Sequence, residues 1–301
     1  MAARFPVAFP HAVVDSLAVC PICRSADELT EHREPDLEVW LCRACGHRRA
    51  RHAAAAAPSD YYENTPQDQR FVASLGVTRL RQAGDILARL ARVGAPRAGL
   101  LDFGCGRGWF LQSARAAGVT ELAGFDTSRL AMDELAKDGF AVARPSAADP
   151  YWPDWSGLPV RPRVVCFLDV LEHFAGEGPR VALLRLRDEL PSLEAVVVKV
   201  PTSEGIFFRA ARAVKARVPG LYRQLFQVGT DPPHEHYFCR RSFEALLRDT
   251  GFSLAELWGD RDVDDLFQRI PSISHWPGGR LAARAAGVLP ADSLIAIARA
   301  C

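Results

Sequence analysis

The chain has 301 residues, 49% of them hydrophobic, and its 37 Lys and Arg almost cancel its 36 Asp and Glu. That length buries a full α/β core with room for a small second module, and the near-neutral balance leaves no global field of the kind that draws a protein onto nucleic acid. No apolar run approaches the roughly 18 residues that span a bilayer, so no transmembrane helix is expected.

At the amino terminus, Leu17-Ala18-Val19-Cys20 resembles the end of a lipoprotein signal, but Pro6, Pro10, His11 and Asp15 break the apolar segment such a signal requires. The cysteines point elsewhere. Cys20-Pro21-Ile22-Cys23 and Cys42-Arg43-Ala44-Cys45 are two CxxC pairs separated by 18 residues. Four thiolates from two tight knuckles close a tetrahedral zinc site with no open position. A redox CxxC would sit in a thioredoxin-like βαβ context that is absent here, and the grouping fits a reducing, cytoplasmic compartment. Residues 1–58 therefore read as a zinc-ribbon module with too little core to fold without its metal. The alternation from Leu37 to Leu41 marks a hairpin strand entering the second knuckle. His11, His32, His47 and His52 are expected at the surface, and Cys105, Cys166, Cys239 and Cys301 have no evident metal partner.

Ala53 to Pro58 reads as a hinge, followed by Tyr61 and Tyr62, which pack a helix from Gln67 to Val93 or reach into a pocket. The apolar run Leu100, Leu101, Phe103 then predicts a buried parallel strand. Gly104, Gly106 and Gly108, with Trp109-Phe110-Leu111 after them, predict a tight turn opening a helix whose amides face a ligand. Dinucleotide folds space their glycines GxGxxG around a pyrophosphate. Here the spacing is GxGxG with Asp102 two residues ahead, and an acid in that place suits a cofactor with an amino group and a cationic centre.

LLDFGCGRG resembles the first motif of the class I S-adenosylmethionine-dependent methyltransferases. The resemblance implies an α/β fold: a Rossmann-like, seven-stranded, doubly wound sheet over residues 59–301, with Asp102, Gly104, Cys105 and Gly106 at the cofactor. The following elements keep the expected alternation. A strand from Glu121 to Phe125 ends at Asp126, the expected ribose ligand with Thr127 beside it. A helix spans Leu130 to Asp138, a strand Phe140 to Ala143, and a loop Pro145 to Pro159. In that loop Asp149 and the aromatics Tyr151, Trp152 and Trp155 either contact the adenine or cap the core.

Val164 to Leu168 is a fourth buried strand, closed by Asp169-Val170-Leu171-Glu172-His173-Phe174. This DVLEHF segment resembles the fourth motif of the small-molecule branch of the family and is unlike the NPPY or DPPY of enzymes that methylate a base. Asp169 is expected at the methionine end of the cofactor; Glu172 and His173 either orient substrate or cap the helix from Val181 to Leu190. Ala195 to Val200 forms the fifth strand. A substrate insertion is expected over residues 201–238. Its helix from Ile206 to Val218 carries Arg209, Arg212, Lys215 and Arg217, which read as a solvated face, a clamp for a phosphate-linked acceptor, or a contact with a membrane surface.

Asp231 to Phe238 includes His234, Glu235 and His236. Together with the ribbon, this HEH stretch resembles the zinc-containing methyltransferases of nucleotide-linked deoxysugars, which implies Glu235 and His236 as an acid-base pair with His234 beside them. A helix from Arg241 to Asp249, a strand from Phe252 to Leu257, short helices at Asp262 to Arg269 and Gly279 to Gly287, and an antiparallel last strand from Ser293 to Ala298 complete the prediction. The resulting expectation is methyl transfer from S-adenosylmethionine to an oxygen, or less readily a carbon, of a sugar, glycan or secondary metabolite. An rRNA methyltransferase with a zinc-binding recognition module is one alternative, and a non-enzymatic zinc-ribbon interaction protein another. Nucleic acid is disfavoured as a partner, and the oligomeric state is left open.

Overall fold

Val-rich strands flanked by glycine and proline turns leave the chain little choice but a parallel sheet covered on both faces. The computed structural model describes residues 19–52, 69–230, 232–260 and 290–301. The expected hinge and Tyr61 and Tyr62 lie outside these residues, as do the two short helices after Asp260. The amino-terminal module is three antiparallel strands, β1 (Glu28–Glu34), β2 (Leu37–Cys42) and β3 (Arg48–His52). Helix α1 (Gln69–Arg92) runs unbroken through Gly76 and Gly84. It leads into β4 (Ala98–Phe103), α2 (Trp109–Ala116), β5 (Thr120–Phe125), α3 (Arg129–Lys137) and β6 (Ala141–Val142).

Within the expected loop the structure forms a hairpin of β7 (Arg144–Ser146) and β8 (Asp149–Asp154). Next come β9 (Val164–Leu168), a single 3-10 turn at Leu171–His173, α4 (Gly178–Glu189) and β10 (Ala195–Pro201). The insertion is two helices, α5 (Ile206–Val214) and α6 (Pro219–Leu225), where one was expected; Pro219 cannot continue the first and is favoured in the first turn of the second. The chain ends with β11 (His236–Tyr237), α7 (Arg240–Asp249), β12 (Phe252–Asp260) and β13 (Ser293–Ala300).

The main sheet has seven strands in the order β12-β13-β10-β9-β4-β5-β6, with β13 antiparallel to both neighbours. The period of two along the strands divides the core. Leu101, Phe103, Val165, Phe167, Val196 and Val198 pack with α4 and α7 on one face. Leu100, Val164, Cys166, Ala195 and Val197 pack with α1, α2 and α3 on the other.

The amino-terminal module is not a separate bead. Its β3 pairs antiparallel with β11, so the second sheet, β1-β2-β3-β11, is shared with the larger α/β part. Leu37, Val39 and Ala50 of the module form one apolar cluster with Phe208, Tyr222, Phe226 and Tyr237, and burying an aromatic side chain of this kind stabilises by about 1.5–3 kcal/mol.

Candidate active site

The glycine turn follows β4 and lies under the carboxyl end of β5. Gly104, Gly106 and Gly108 all have positive φ. Gly104 and Cys105 donate their amides to the Phe125 carbonyl, at 2.7 and 3.0 Å. The Gly106 amide donates to Asp126 Oδ2 at 2.9 Å, and Asp126 Oδ1 accepts from Ser128. Asp126 thus fixes the turn and the start of α3, with Thr127 exposed beside it. A Cβ on Gly104 would lie 2.5 Å from Val170 Cγ2. Only glycine fits between this turn and the end of β9. The Cys105 thiol is buried and pushed well above its ordinary range by that burial.

Asp102 sits at the base of the turn, 3% exposed, and its Oδ1 has no hydrogen-bond partner among the described residues. Burial raises its carboxyl to about 8, against the attraction of Arg79 and with a push from Asp126. A buried acceptor without a donor is costly unless a ligand completes it. An ammonium group would do so, which fits the amino end of S-adenosylmethionine.

Asp169 ends β9 with a φ of 59°, a left-handed conformation that Asp tolerates better than most residues. Its Oδ2 accepts from Lys199 Nζ at 2.8 Å and from Arg79. Burial alone would raise its carboxyl, but Arg79 and Lys199 hold it well below the usual carboxylate range. The sequence reading missed both cations. Lys199 carried a signal, as the one charge inside Ala-Val-Val-Val-Lys-Val; Arg79, 90 residues from Asp169 in the chain, carried none.

One turn beyond Asp169, Glu172, His173 and His234 converge, with a nitrogen or oxygen of each within 4.8 Å of the others. Asp169 acts electrostatically on all three. Glu172 is 1% exposed, and its Oε2 has no hydrogen-bond partner among the described residues; nor has Nδ1 of His234. Burial, then Asp169, pushes the Glu172 carboxyl well above its ordinary range. Burial lowers both imidazoles and keeps them neutral at pH 7. His173 Nδ1 lies 2.9 Å from the Pro233 carbonyl.

His236, expected with Glu235 as an acid-base pair, lies outside this cluster. It is wholly buried, with Nδ1 3.0 Å from His47 Nε2 and Nε2 2.6 Å from the Phe174 carbonyl. Nδ1 joins it to the ribbon and Nε2 to the loop after the 3-10 turn, and burial lowers it to about 4. Glu235 accepts from the Gly176 amide at 3.3 Å, and burial raises it to about 7. His47 is wholly buried as His236's partner and is not a surface residue, while the half-buried His52 has its Nε2 3.1 Å from the His234 carbonyl.

Asp149, expected either at the adenine or in a cap over the core, is held by its protein neighbours. It is 4% exposed, with Oδ2 2.6 Å from Arg185 and Oδ1 accepting from the Tyr151 amide. Trp152 and Trp155 both donate to Glu189 Oε2 at 2.7 Å. These residues hold the hairpin against α4 and do not present a free acid and free ring to a base.

In the ribbon, Cys20 and Cys45 are 3.7 Å apart at sulfur, and Cys23 and Cys42 3.6 Å. Four sulfurs about 2.3 Å from one tetrahedral zinc lie about 3.8 Å from each other, so the residues fit the metal. The Cys20 thiol is shifted down by hydrogen bonding from Cys45, whose own thiol is shifted up. Cys239 donates to the Cys45 carbonyl at 3.1 Å and braces the second knuckle.

Residues 76–257, more than half of the chain, match a family described as "Methyltransferase domain". No curated protein matches the chain. Among solved structures it is similar to the plantazolicin methyltransferase BpumL in complex with SAH, at 16% identity and a TM-score of 0.49, covering 81% of this chain and 92% of that one. The magnesium protoporphyrin IX methyltransferase of Synechocystis PCC 6803 with bound SAH is 15% identical, with a TM-score of 0.45 over 82% of this chain and 90% of that one. The cyclopropane synthase MmaA2 of Mycobacterium tuberculosis is 14% identical, with a TM-score of 0.47 over 66% and 77%. The family match falls on the glycine turn, Asp126, Asp169 and the sheet that carries them, and the chain belongs to this methyltransferase family as a class I S-adenosylmethionine-dependent enzyme.

Proposed function

We propose that the enzyme methylates a hydroxyl oxygen of a small molecule, a sugar or other polyhydroxylated metabolite, in the cytoplasm, with zinc in the ribbon as a structural ion. The observation that carries this reading is the Glu172, His173 and His234 cluster at the carboxyl end of the sheet, where open α/β folds bind ligands. A carboxylate oxygen and an imidazole nitrogen without partners suit an acceptor that brings hydroxyl groups. In this reading Asp102 holds the cofactor's amino group, Asp126 its ribose, and Asp169, fixed by Lys199 and Arg79, the side nearest the acceptor. Methyl transfer then needs alignment of acceptor oxygen, methyl carbon and sulfur, which a rigid pocket supplies.

An RNA acceptor has less support. Arg212, Lys215 and Arg223 of the insertion are paired with Glu31, Glu34 and Asp36 of the ribbon or with its backbone, while Arg209 and Arg217 are exposed. The same pairing weakens the phosphate-clamp and membrane readings of this helix. Incubation with methyl-labelled S-adenosylmethionine against nucleotide sugars, phenolic metabolites and rRNA fragments tests the reading. Label is expected in a hydroxylated small molecule as a methyl ether. Label confined to RNA would overturn it.

A further inference from the structure

We propose that Glu172, His173 and His234 form a second metal site, separate from the ribbon cysteines, which takes a divalent first-row transition ion of the zinc type. Two imidazoles and one carboxylate are a donor set that holds such ions with coordination positions left open for a substrate.

A hydrogen bond sets the His173 tautomer this requires. The Pro233 carbonyl can only accept, so His173 Nδ1 carries the proton and Nε2 keeps its lone pair. His234 Nδ1 is buried with no hydrogen-bond partner among the described residues and is available as a ligand atom. An imidazole oriented for a metal by a carbonyl on its other nitrogen is the usual outer-shell arrangement.

Glu172 supplies the independent observation. Its Oε2 is buried with no donor among the described residues, on a side chain that clusters with both imidazoles. The neighbouring Asp169 does not compete for the ion, because Lys199 and Arg79 occupy it. The ligand-capable atoms lie within 4.8 Å of one another. Bonds of about 2.1 Å to one ion bring them closer still, which side-chain rotation within the cluster can supply.

The site's use rests on the O-methylation proposed above; the binding of the ion does not. A hydroxyl coordinated to a divalent cation is more acidic than a free one. Its proton passes to water, and the oxygen forms a bond to the methyl carbon of S-adenosylmethionine. The carbon–sulfur bond breaks with its electron pair retained on sulfur, giving S-adenosylhomocysteine.

Cobalt(II) titration of the full chain tests the site, because the two sites differ in colour. Uptake by the ribbon gives an intense thiolate-to-cobalt charge-transfer band, whereas a nitrogen and oxygen site gives only weak ligand-field bands. The wild type is expected to show both. Glu172→Gln and His234→Ala are each expected to lose at least about tenfold in affinity for the second ion, with the thiolate band and S-adenosylhomocysteine binding retained as controls for folding. Absence of the second set of bands in the wild type, or its persistence in both variants, would overturn the site. Loss of the second ion without loss of methyl transfer would leave the site standing and remove its role in O-methylation.

Discussion

Asp102 is the residue whose chemistry is most exposed to test. With its carboxyl raised to about 8 by burial, it is protonated at pH 7 in the free protein and must ionise to pair with an ammonium. Cofactor binding at pH 7 is therefore expected to release a proton, and affinity for S-adenosylhomocysteine should rise as pH approaches about 8 and fall again at higher pH as the ligand's own ammonium loses its proton. Calorimetry in buffers of different ionisation enthalpy reads the proton directly. Asp102→Asn should abolish the release and weaken binding about 10- to 100-fold, the worth of a charged hydrogen bond. His236 makes the opposite prediction. His236→Ala strands His47 and the Phe174 carbonyl and opens a cavity, so it should cost about 2–4 kcal/mol in denaturant unfolding while leaving S-adenosylhomocysteine affinity within a few-fold of wild type. Unchanged stability with lost turnover would restore its role as a base.

At the level of elements, the glycine turn and the ribbon answer to different perturbations. Gly104→Ala places a Cβ against Val170 at a φ of +75°, and should cost about 1–3 kcal/mol and abolish cofactor binding in calorimetry. Cys42→Ser should instead loosen β3 from β11, lowering the melting temperature by several degrees and cutting methyl transfer while cofactor affinity persists. Why the sequence revealed one element more fully than the other follows from contact range. Turn, strands and knuckles are written in local residue types: glycines that need positive φ, apolar runs that need two covered faces, thiols that need a common ion. The shared sheet is written in pairings such as Arg49 with His236, far apart in the chain and with no local pattern. An HEH stretch therefore read as chemistry throughout, when only His234 of the three faces the Glu172 cluster and His236 serves the seam.

Across the whole molecule, the insertion and the ribbon are latched by Glu31, the extra residue where the β1–β2 register shifts between Thr30 and His32. A bulge of this kind re-aims a side chain. Here the Glu31 carboxylate receives Arg48 at 2.7 and 3.1 Å, Arg212 at 3.1 Å and the Tyr222 hydroxyl at 3.1 Å. Its backbone carbonyl accepts from Lys215 at 2.6 Å. Burial would raise the Glu31 carboxyl, but the hydrogen bonds and charge of Arg48, with help from Arg212 and Tyr222, bring it down to about 2 from an ordinary 4.5. A folded-state value below the unfolded one means a contribution fully present above about pH 4.5 and lost as pH falls through about 2. That shift corresponds to about 3 kcal/mol. Glu31→Gln should therefore unfold at lower denaturant than wild type at pH 7, with a difference on the order of 2–3 kcal/mol that closes progressively on acidification. Acid release of a metal from the ribbon cysteines would be common to both proteins and cancel in the comparison. A gap independent of pH would mean that Glu31 acts through packing alone, and that the insertion is held to the ribbon by its apolar cluster around Tyr222 and Phe226.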